Sequence, residues 1–226
     1  MFNVHGERVA LVTDTSCDLS DEQLARYDIS MVSLRVVAAA GEFRDRVEIN
    51  QEEMYELLKN EVPKTPLPLP EDISALYARL RDEGCTRILH IAMSSGLSGT
   101  YNMCRMLAED MDGIRVDVVD SMTLSCGLGL LVLTAAEMGA QERFSTVAIE
   151  EHNVLEETIA AVEEKRKGQL GCFVIRTLEF LRKGGRIGLV AGVVGSMLQL
   201  KPVIYVNDDG VYQTLTKARG MNNAIE

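Results

Sequence analysis

Short apolar runs alternate with amphipathic stretches along the first two thirds of the chain. The apolar runs are rich in β-branched residues, as buried parallel strands are, and the stretches between them have helical spacing. The predicted strands are Val9–Thr13, Ile29–Val37, Arg87–Ala92 and Val116–Asp120. The predicted helices are Asn50–Asn60, Glu71–Glu83, Thr100–Glu109 and Gly127–Met138. This order predicts an α/β fold in which helices cover both faces of a parallel sheet in three layers.

End signals mark several of these helices and suggest a domain boundary. Ser20 followed by Gln23 forms a capping-box pattern that begins a helix after the first strand. A long charged helix is predicted over Thr146–Lys167, with Gly168 as its C-cap. We therefore predict a first domain over residues 1–168 and a second, smaller mixed α/β domain over 169–226.

The second predicted domain is short. Its pattern predicts a strand at Cys172–Ile175 and a helix at Leu178–Lys183 that two glycines end. Strands at Val203–Val206 and Val211–Leu215 are predicted to form a hairpin around the sequence NDDG.

Composition narrows the class of protein. The 226 residues carry 34 Asp and Glu against 23 Lys and Arg, which gives a net charge of -11 and disfavours a nucleic-acid partner. Residues 169–226 nevertheless carry seven Lys or Arg and four Asp or Glu, either by chance or because this part faces an anion. The longest apolar stretch, Leu128–Ala136, is far below the ~18 residues that span a bilayer, so we expect no integral membrane association.

Hydroxylated segments follow the predicted strands, where ligands bind in an open parallel sheet. The sequence SSGLSGTY at residues 94–101 lies between a strand and a helix, and its glycines let the backbone approach a ligand closely. Its N–H groups and the hydroxyls of Ser94, Ser95 and Ser98 suit an anionic oxygen at a helix N-terminus. The alternative is a serine-rich cap that satisfies backbone donors and binds nothing.

The other motifs in the sequence do not point to a specific chemistry. The loop has neither a Walker lysine nor the G-x-S-x-G pattern, so it matches no nucleotide or hydrolase motif. Ser-His-Asp catalysis is not excluded by composition, but His90 lies within a predicted strand and is more typical of a core histidine. Five cysteines without a C-x-x-C pair predict neither a disulfide framework nor a zinc site.

Two further segments carry candidate residues. Four of the five prolines stiffen residues 62–70, which either position Thr65 or form a plain connector. Arg186 follows Gly184 and Gly185 and suits forked contacts to a carboxylate or phosphate, although a solvated surface charge is equally compatible with the sequence.

Taken together and in order, these segments resemble the DegV family over nearly the whole chain. The resemblance rests on VTDTSCDL, VPKT-x-x-P, SSGLSGTYN, the Asp120-Ser121 pair, TLEFLRKGGRI, LQLKPVI, DDG and K-x-R. It implies two α/β domains that hold a long-chain fatty acid between them, with the carboxylate on the hydroxyl-rich loops. The residues that match the family's ligand-binding positions are Thr65, Ser94, Ser95, Ser98, Gly99 and Arg186.

The resemblance also implies a biological role. Such proteins are cytoplasmic, are not enzymes, and present a bound acyl chain to a bacterial fatty-acid kinase, which makes acyl phosphate for phospholipid synthesis. We expect no cofactor and no metal. The composition agrees, since an acyl chain needs an aliphatic pocket and the chain has 11 Met and no Trp. An enzyme that acts on an acyl or phosphoryl group and a lipid-independent interaction protein remain the alternatives.

The sequence departs from the family at two places. The usual T-S-x-P-S reads Thr65-Pro66-Leu67-Pro68-Leu69 and lacks two hydroxyls. The family's C-terminal part, with a histidine and a glycine-rich segment near the ligand, has no counterpart in the 226 residues, so we expect a C-terminally truncated second domain.

Overall fold

The computed structural model describes residues 1–4, 7–142, 154–193 and 200–225. The strands, in chain order, are β1 Phe2–Val4, β2 Glu7–Asp14, β3 Ile29–Val32, β4 Arg35–Ala38, β5 Gly41–Arg44, β6 Arg87–Ala92, β7 Arg115–Asp120, β8 Cys172–Phe173, β9 Leu200–Val206 and β10 Tyr212–Arg219. The helices are α1 Asp21–Tyr27, α2 Gln51–Asn60, α3 Pro70–Asp82, α4 Thr100–Glu109, α5 Ser125–Glu142, α6 Val154–Lys167, α7 Glu179–Lys183 and α8 Asn222–Ile225.

The main sheet is parallel, as predicted. Strands β3, β2, β6 and β7 lie side by side in that order and run in one direction. The short strand β1 pairs antiparallel with the beginning of β2. All four parallel strands therefore end at the same edge, and the loops that follow them meet there.

Helices cover both faces of this sheet. Alternate residues of β2 point to opposite sides, so that Ala10 and Val12 pack with Ile73 and Tyr77 of α3, whereas Leu11 packs in the core that contains α5 and α6. Each face is closed by buried aliphatic side chains. The predicted three-layer α/β architecture is confirmed.

The prediction of one strand over Ile29–Val37 is wrong. The chain leaves the main sheet at Ser33, whose hydroxyl donates to the Asp45 carbonyl at 2.7 Å, while the Leu34 amide donates to Thr15 Oγ1 at 3.2 Å. Strand β4 then pairs with β5, which the sequence pattern did not predict, in a separate two-stranded sheet. Side-chain hydrogen bonds from distant loops thus redirect a continuous apolar run.

Most predicted helices are present. The capping boxes at Ser20 and Asn50 both form, and α3 begins at Pro70. The beginning of the predicted helix over Thr146–Lys167 lies outside the described residues, and its remainder is α6.

The C-terminal segment forms a three-stranded antiparallel sheet in the order β10, β9, β8. The predicted hairpin is present but longer, and the predicted strand from Cys172 to Ile175 ends at Phe173. Val190, Ile204 and Tyr212 belong to the same buried cluster as the residues of α5 and α6. The small sheet therefore packs on the first core, and the division at residue 168 stays a prediction.

Candidate functional site

Two carboxylates hold the serine loop, residues 93–99, at the carboxyl edge of the main sheet. At the end of β2, Asp14 Oδ2 accepts a hydrogen bond of 2.7 Å from the Met93 amide. At the end of β7, Asp120 Oδ1 accepts one of 3.2 Å from the Ser95 amide. The parallel topology that the sequence predicts is what brings these three loops together.

Asp14 is a buried anchor for this loop. Its side chain is inaccessible and also accepts hydrogen bonds from the amide and hydroxyl of Ser16. Burial raises the pKa of this carboxyl, because the charged form loses its hydration, although its hydrogen bonds act in the opposite direction.

Ser94 ties the serine loop to the C-terminal segment. It is fully buried, and its hydroxyl donates to the Gly210 carbonyl at 2.7 Å and accepts from the Gly96 amide at 3.1 Å. Any Cβ at Gly96 would lie 2.7 Å from the carbonyl oxygens of Asp209 and Gly210, so only glycine permits this approach. The turn between β9 and β10 therefore packs directly against the serine loop.

Ser98 and Gly99 lie at the beginning of α4. Ser98 Oγ accepts a hydrogen bond of 3.2 Å from the Thr100 amide and lies 2.8 Å from Thr100 Oγ1. A Cβ at Gly99 would lie 3.3 Å from the Leu67 side chain, so Gly99 lets the proline-rich loop pack closely. Gly99 is the N-cap residue of α4, and Ser98, one residue earlier, accepts from the first amide of the helix and also borders the cavity described next.

The proline-rich loop brings Thr65 next to Arg186. Reciprocal backbone hydrogen bonds of 2.9 Å between Val37 and Lys64 attach the loop to β4. From the other side, Arg186 Nη2 donates to the Thr65 carbonyl at 3.1 Å, and Arg186 Nη1 donates to the Gly184 carbonyl at 2.7 Å. Segments 121 residues apart in sequence are thus joined.

A cavity of about 540 Å3 lies beneath this junction. Thr65, Ser98 and Arg186, three of the predicted ligand-binding residues, border it. Its wall is mainly apolar and includes Leu34, Val36, Met54, Leu58, Met93 and Leu97. The volume lies within the range of about 300–1,000 Å3 that is typical of small-molecule sites. The arrangement offers an apolar chamber with hydroxyls and a guanidinium at its border.

The other three predicted residues, Ser94, Ser95 and Gly99, do not border the cavity. Ser94 is engaged in the loop-to-turn contact, Ser95 is half-buried with its amide on Asp120, and Gly99 packs under Leu67. Their direct part in binding stays a prediction.

Three polar residues at the cavity were missed by the sequence reasoning. Arg35 begins β4 and donates to Asp72 at 2.6 Å, Asp45 follows β5, and Tyr212 begins β10. Burial raises the pKa of Asp45, which opposes the influence of neighbouring Arg46. The only signal for Asp45 was its place after a strand that the pattern did not reveal, and Tyr212 looked like an ordinary strand aromatic.

The described part of the chain holds no cluster of His, Cys, Asp and Glu suited to a metal ion. It also holds no helix of the length and apolar character needed to cross a membrane.

Comparisons with known sequences identify the relatives of this chain. A family model described as "Uncharacterised protein, DegV family" matches residues 8–226. A DegV domain-containing protein of Clostridium acetobutylicum is 37% identical over 219 residues, which cover 97% of this chain and 74% of the relative. One from Clostridium perfringens is 36% identical over 220 residues, with 97% and 75% covered.

Solved structures agree with these sequence matches. A DegV family protein from Thermus thermophilus, described as fatty-acid binding, superimposes with a TM-score of 0.82 at 33% identity and covers 96% of this chain and 74% of that one. DegV from Bacillus subtilis, described as a fatty acid binding protein, has a TM-score of 0.83 at 28% identity, with 97% and 74% covered. Motifs, family match and fold therefore lead to one conclusion: the chain belongs to the DegV family.

Proposed function

We propose that this protein binds a long-chain fatty acid in the cavity, with the carboxylate toward Ser98, Thr65 and Arg186 and the tail along the apolar wall. The observation that carries the proposal is a mainly apolar cavity of about 540 Å3 with a guanidinium and hydroxyls at its border. The fatty-acid binding described for the relatives from T. thermophilus and B. subtilis supports it.

The tail would supply most of the affinity. Removing about 14 methylenes from water at ~0.8 kcal/mol each gives a ceiling of ~11 kcal/mol, before the cost of ordering the chain. The head group would supply orientation, because a carboxylate accepts hydrogen bonds from a guanidinium and hydroxyls more strongly than a neutral group does.

The direct test is organic extraction and mass spectrometry of the purified protein, followed by titration of delipidated protein with palmitate. We expect a co-purified fatty acid and saturable uptake of palmitate. Lipid-free protein that also fails to take up palmitate or oleate would contradict the proposal.

Substitution of Ser98 separates ligand binding from helix capping. Ser98→Ala should weaken palmitate binding by about 0.5–3 kcal/mol, the range for hydrogen bonds to neutral or charged partners. Ser20 is the matched control, since its hydroxyl accepts from the Gln23 amide at 3.2 Å and caps α1 away from the cavity. Ser20→Ala should lower the melting temperature and leave affinity intact. If Ser98→Ala behaves in the same way, Ser98 supports the beginning of α4 and is not a ligand contact.

We further propose that the bound acid is presented to a fatty-acid kinase, as the family resemblance implies. Arg186 is half-buried at the border of the cavity and is held by two carbonyls, where it would stabilise an acyl phosphate more than a carboxylate. Arg186→Ala should therefore reduce phosphorylation of bound palmitate by a bacterial fatty-acid kinase while nearly preserving palmitate affinity. Wild-type behaviour in both assays would reduce Arg186 to a surface charge.

A further inference from the structure

The backbone around Tyr212 is fixed tightly at the wall of the cavity. Tyr212 is the first residue of β10 and pairs with Val206 of β9, immediately after the turn that rests on the serine loop. Gly188, at a φ of 49°, approaches so closely that a Cβ there would lie 2.7 Å from the Tyr212 carbonyl oxygen. The position of the ring is therefore set by the fold and not by a flexible loop.

The ring of Tyr212 is packed, but its hydroxyl is not paired. The side chain is 8% exposed and meets Phe173 edge to face, with ring centroids 5.4 Å apart. No described residue makes a hydrogen bond to its hydroxyl. By contrast, the Tyr77 hydroxyl lies 2.6 Å from His90 Nδ1, and the Tyr205 hydroxyl donates to Gln213 at 3.1 Å. The Tyr212 hydroxyl keeps some accessible surface beside the cavity, so it is free to bond a ligand there.

Arg186 lies near this hydroxyl and faces the same cavity. Burial raises the pKa of Tyr212, and the Arg186 cation opposes that rise without cancelling it. The phenol is therefore a protonated donor at neutral pH. The phenol O–H can donate to a ligand and the guanidinium carries only donors, so together they suit a group that accepts hydrogen bonds and carries negative charge.

We propose that Tyr212 donates a hydrogen bond to the ligand head group and, with Arg186, makes the site selective for an ionised carboxylic acid over its neutral ester or alcohol. This inference rests on the proposed function and adds a residue that neither the motifs nor the hydroxyl pattern indicate. Tyr212 belongs to the small C-terminal sheet, whereas Ser98 and Thr65 belong to the earlier part of the chain. The head-group site is thus completed only when the two parts pack together.

The test compares Tyr212→Phe with Tyr205→Phe. Both remove one hydroxyl from a strand of the same sheet, but Tyr205 does not border the cavity. Each variant and the wild type are titrated with palmitate, with methyl palmitate and with 1-hexadecanol after delipidation. The free energy of unfolding of the ligand-free proteins is measured alongside by urea denaturation.

We expect Tyr212→Phe to lower palmitate affinity about tenfold, since a hydrogen bond to a charged group contributes roughly that much. Affinity for the ester and the alcohol should change less than about threefold, and Tyr205→Phe should alter none of the three. Because the Tyr212 hydroxyl is unpaired without ligand, its removal should not destabilise the ligand-free protein, which a purely structural role would require.

Four outcomes would overturn the inference. If Tyr212→Phe binds palmitate as tightly as the wild type does, Tyr212 is not part of the head-group site, and the proposed function is unaffected. Equal weakening of all three ligands, or a loss of ligand-free stability, shows that the hydroxyl supports packing. Failure of the wild type to bind palmitate overturns the proposed function together with this inference.

Discussion

The two cores on opposite sides of the main sheet each enclose a tyrosine, and the two tyrosines differ in whether the hydroxyl has a hydrogen-bond partner. Tyr77, between α3 and the sheet, is fully buried and has His90 as its partner at 2.6 Å. Tyr212, in the core that continues into the small sheet, is nearly as buried, but its hydroxyl is unpaired and a cavity lies beside it. In the first core the phenol bonds to a neighbouring core side chain, whereas in the second the phenol hydroxyl is left available to a ligand in the cavity.

This difference separates stability from binding. The hydrogen bond between Tyr77 and His90 fixes the packing of one core, whereas an unpaired hydroxyl beside a cavity suits a ligand that supplies the acceptor. Substitutions on the Tyr77 side should therefore change the free energy of unfolding. Those on the Tyr212 side should change affinity.

The largest effect that we expect is a pH dependence due to His90. Burial lowers the pKa of this side chain to about 3 from its ordinary value of 6.5. Between pH 6.5 and pH 3, His90 is therefore protonated in the unfolded chain but neutral in the folded protein. The folded protein loses stability as the pH falls through this interval. At pH 5 the loss from this group amounts to about 2 kcal/mol relative to neutral pH.

Urea denaturation at pH 7.5 and pH 5 checks this, with His90→Gln as the comparison. The variant should lose less stability between the two pH values than the wild type does. The raised pKa values of Asp14 and Asp45 act in the opposite sense, since protonation favours their buried state, but they are common to both proteins. An identical pH dependence in the two proteins would show that His90 is not held neutral by the core.

Tyr77→Phe should have the next largest effect. It leaves His90 Nδ1 without its partner, and His90 Nε2 already has none among the described residues. We expect the free energy of unfolding to fall by about 1–2 kcal/mol, with palmitate affinity per folded molecule unchanged. Denaturation and titration of the same sample measure both quantities. A weaker affinity without a loss of stability would reverse the contrast between the two cores.

The smallest effect should come from Ser94→Ala. Loss of the hydroxyl removes its bond to the Gly210 carbonyl and leaves the Gly96 amide unpaired, at a cost of about 1 kcal/mol in stability. Ser95→Ala is the neighbouring control, because no described residue bonds to its half-buried hydroxyl. It should leave stability nearly unchanged and, if Ser95 contacts the carboxylate, weaken palmitate binding. A larger stability loss for Ser95→Ala than for Ser94→Ala would contradict the assignment of Ser94 to the loop-to-turn contact.

The candidate site could be predicted only in part. The loops after β2, β6 and β7 were located correctly, because the carboxyl ends of parallel strands share an edge. The different roles of Ser94 and Ser98 could not be predicted, because both are serines in one loop. Their environments differ through a turn that lies 116 residues away in sequence.

The amino-acid sequence alone is enough to predict the alternation of the parallel strands with helices, the capping box at Ser20, and the family. These depend on local periodicity and on motifs, which neighbouring residues encode. Three features became visible only in the folded chain: it leaves the sheet at Ser33, Arg186 reaches Thr65, and Tyr212 borders a cavity. Periodicity shows which face of a strand is buried. It does not show which distant segment packs against that face, or whether the packing leaves room for a ligand.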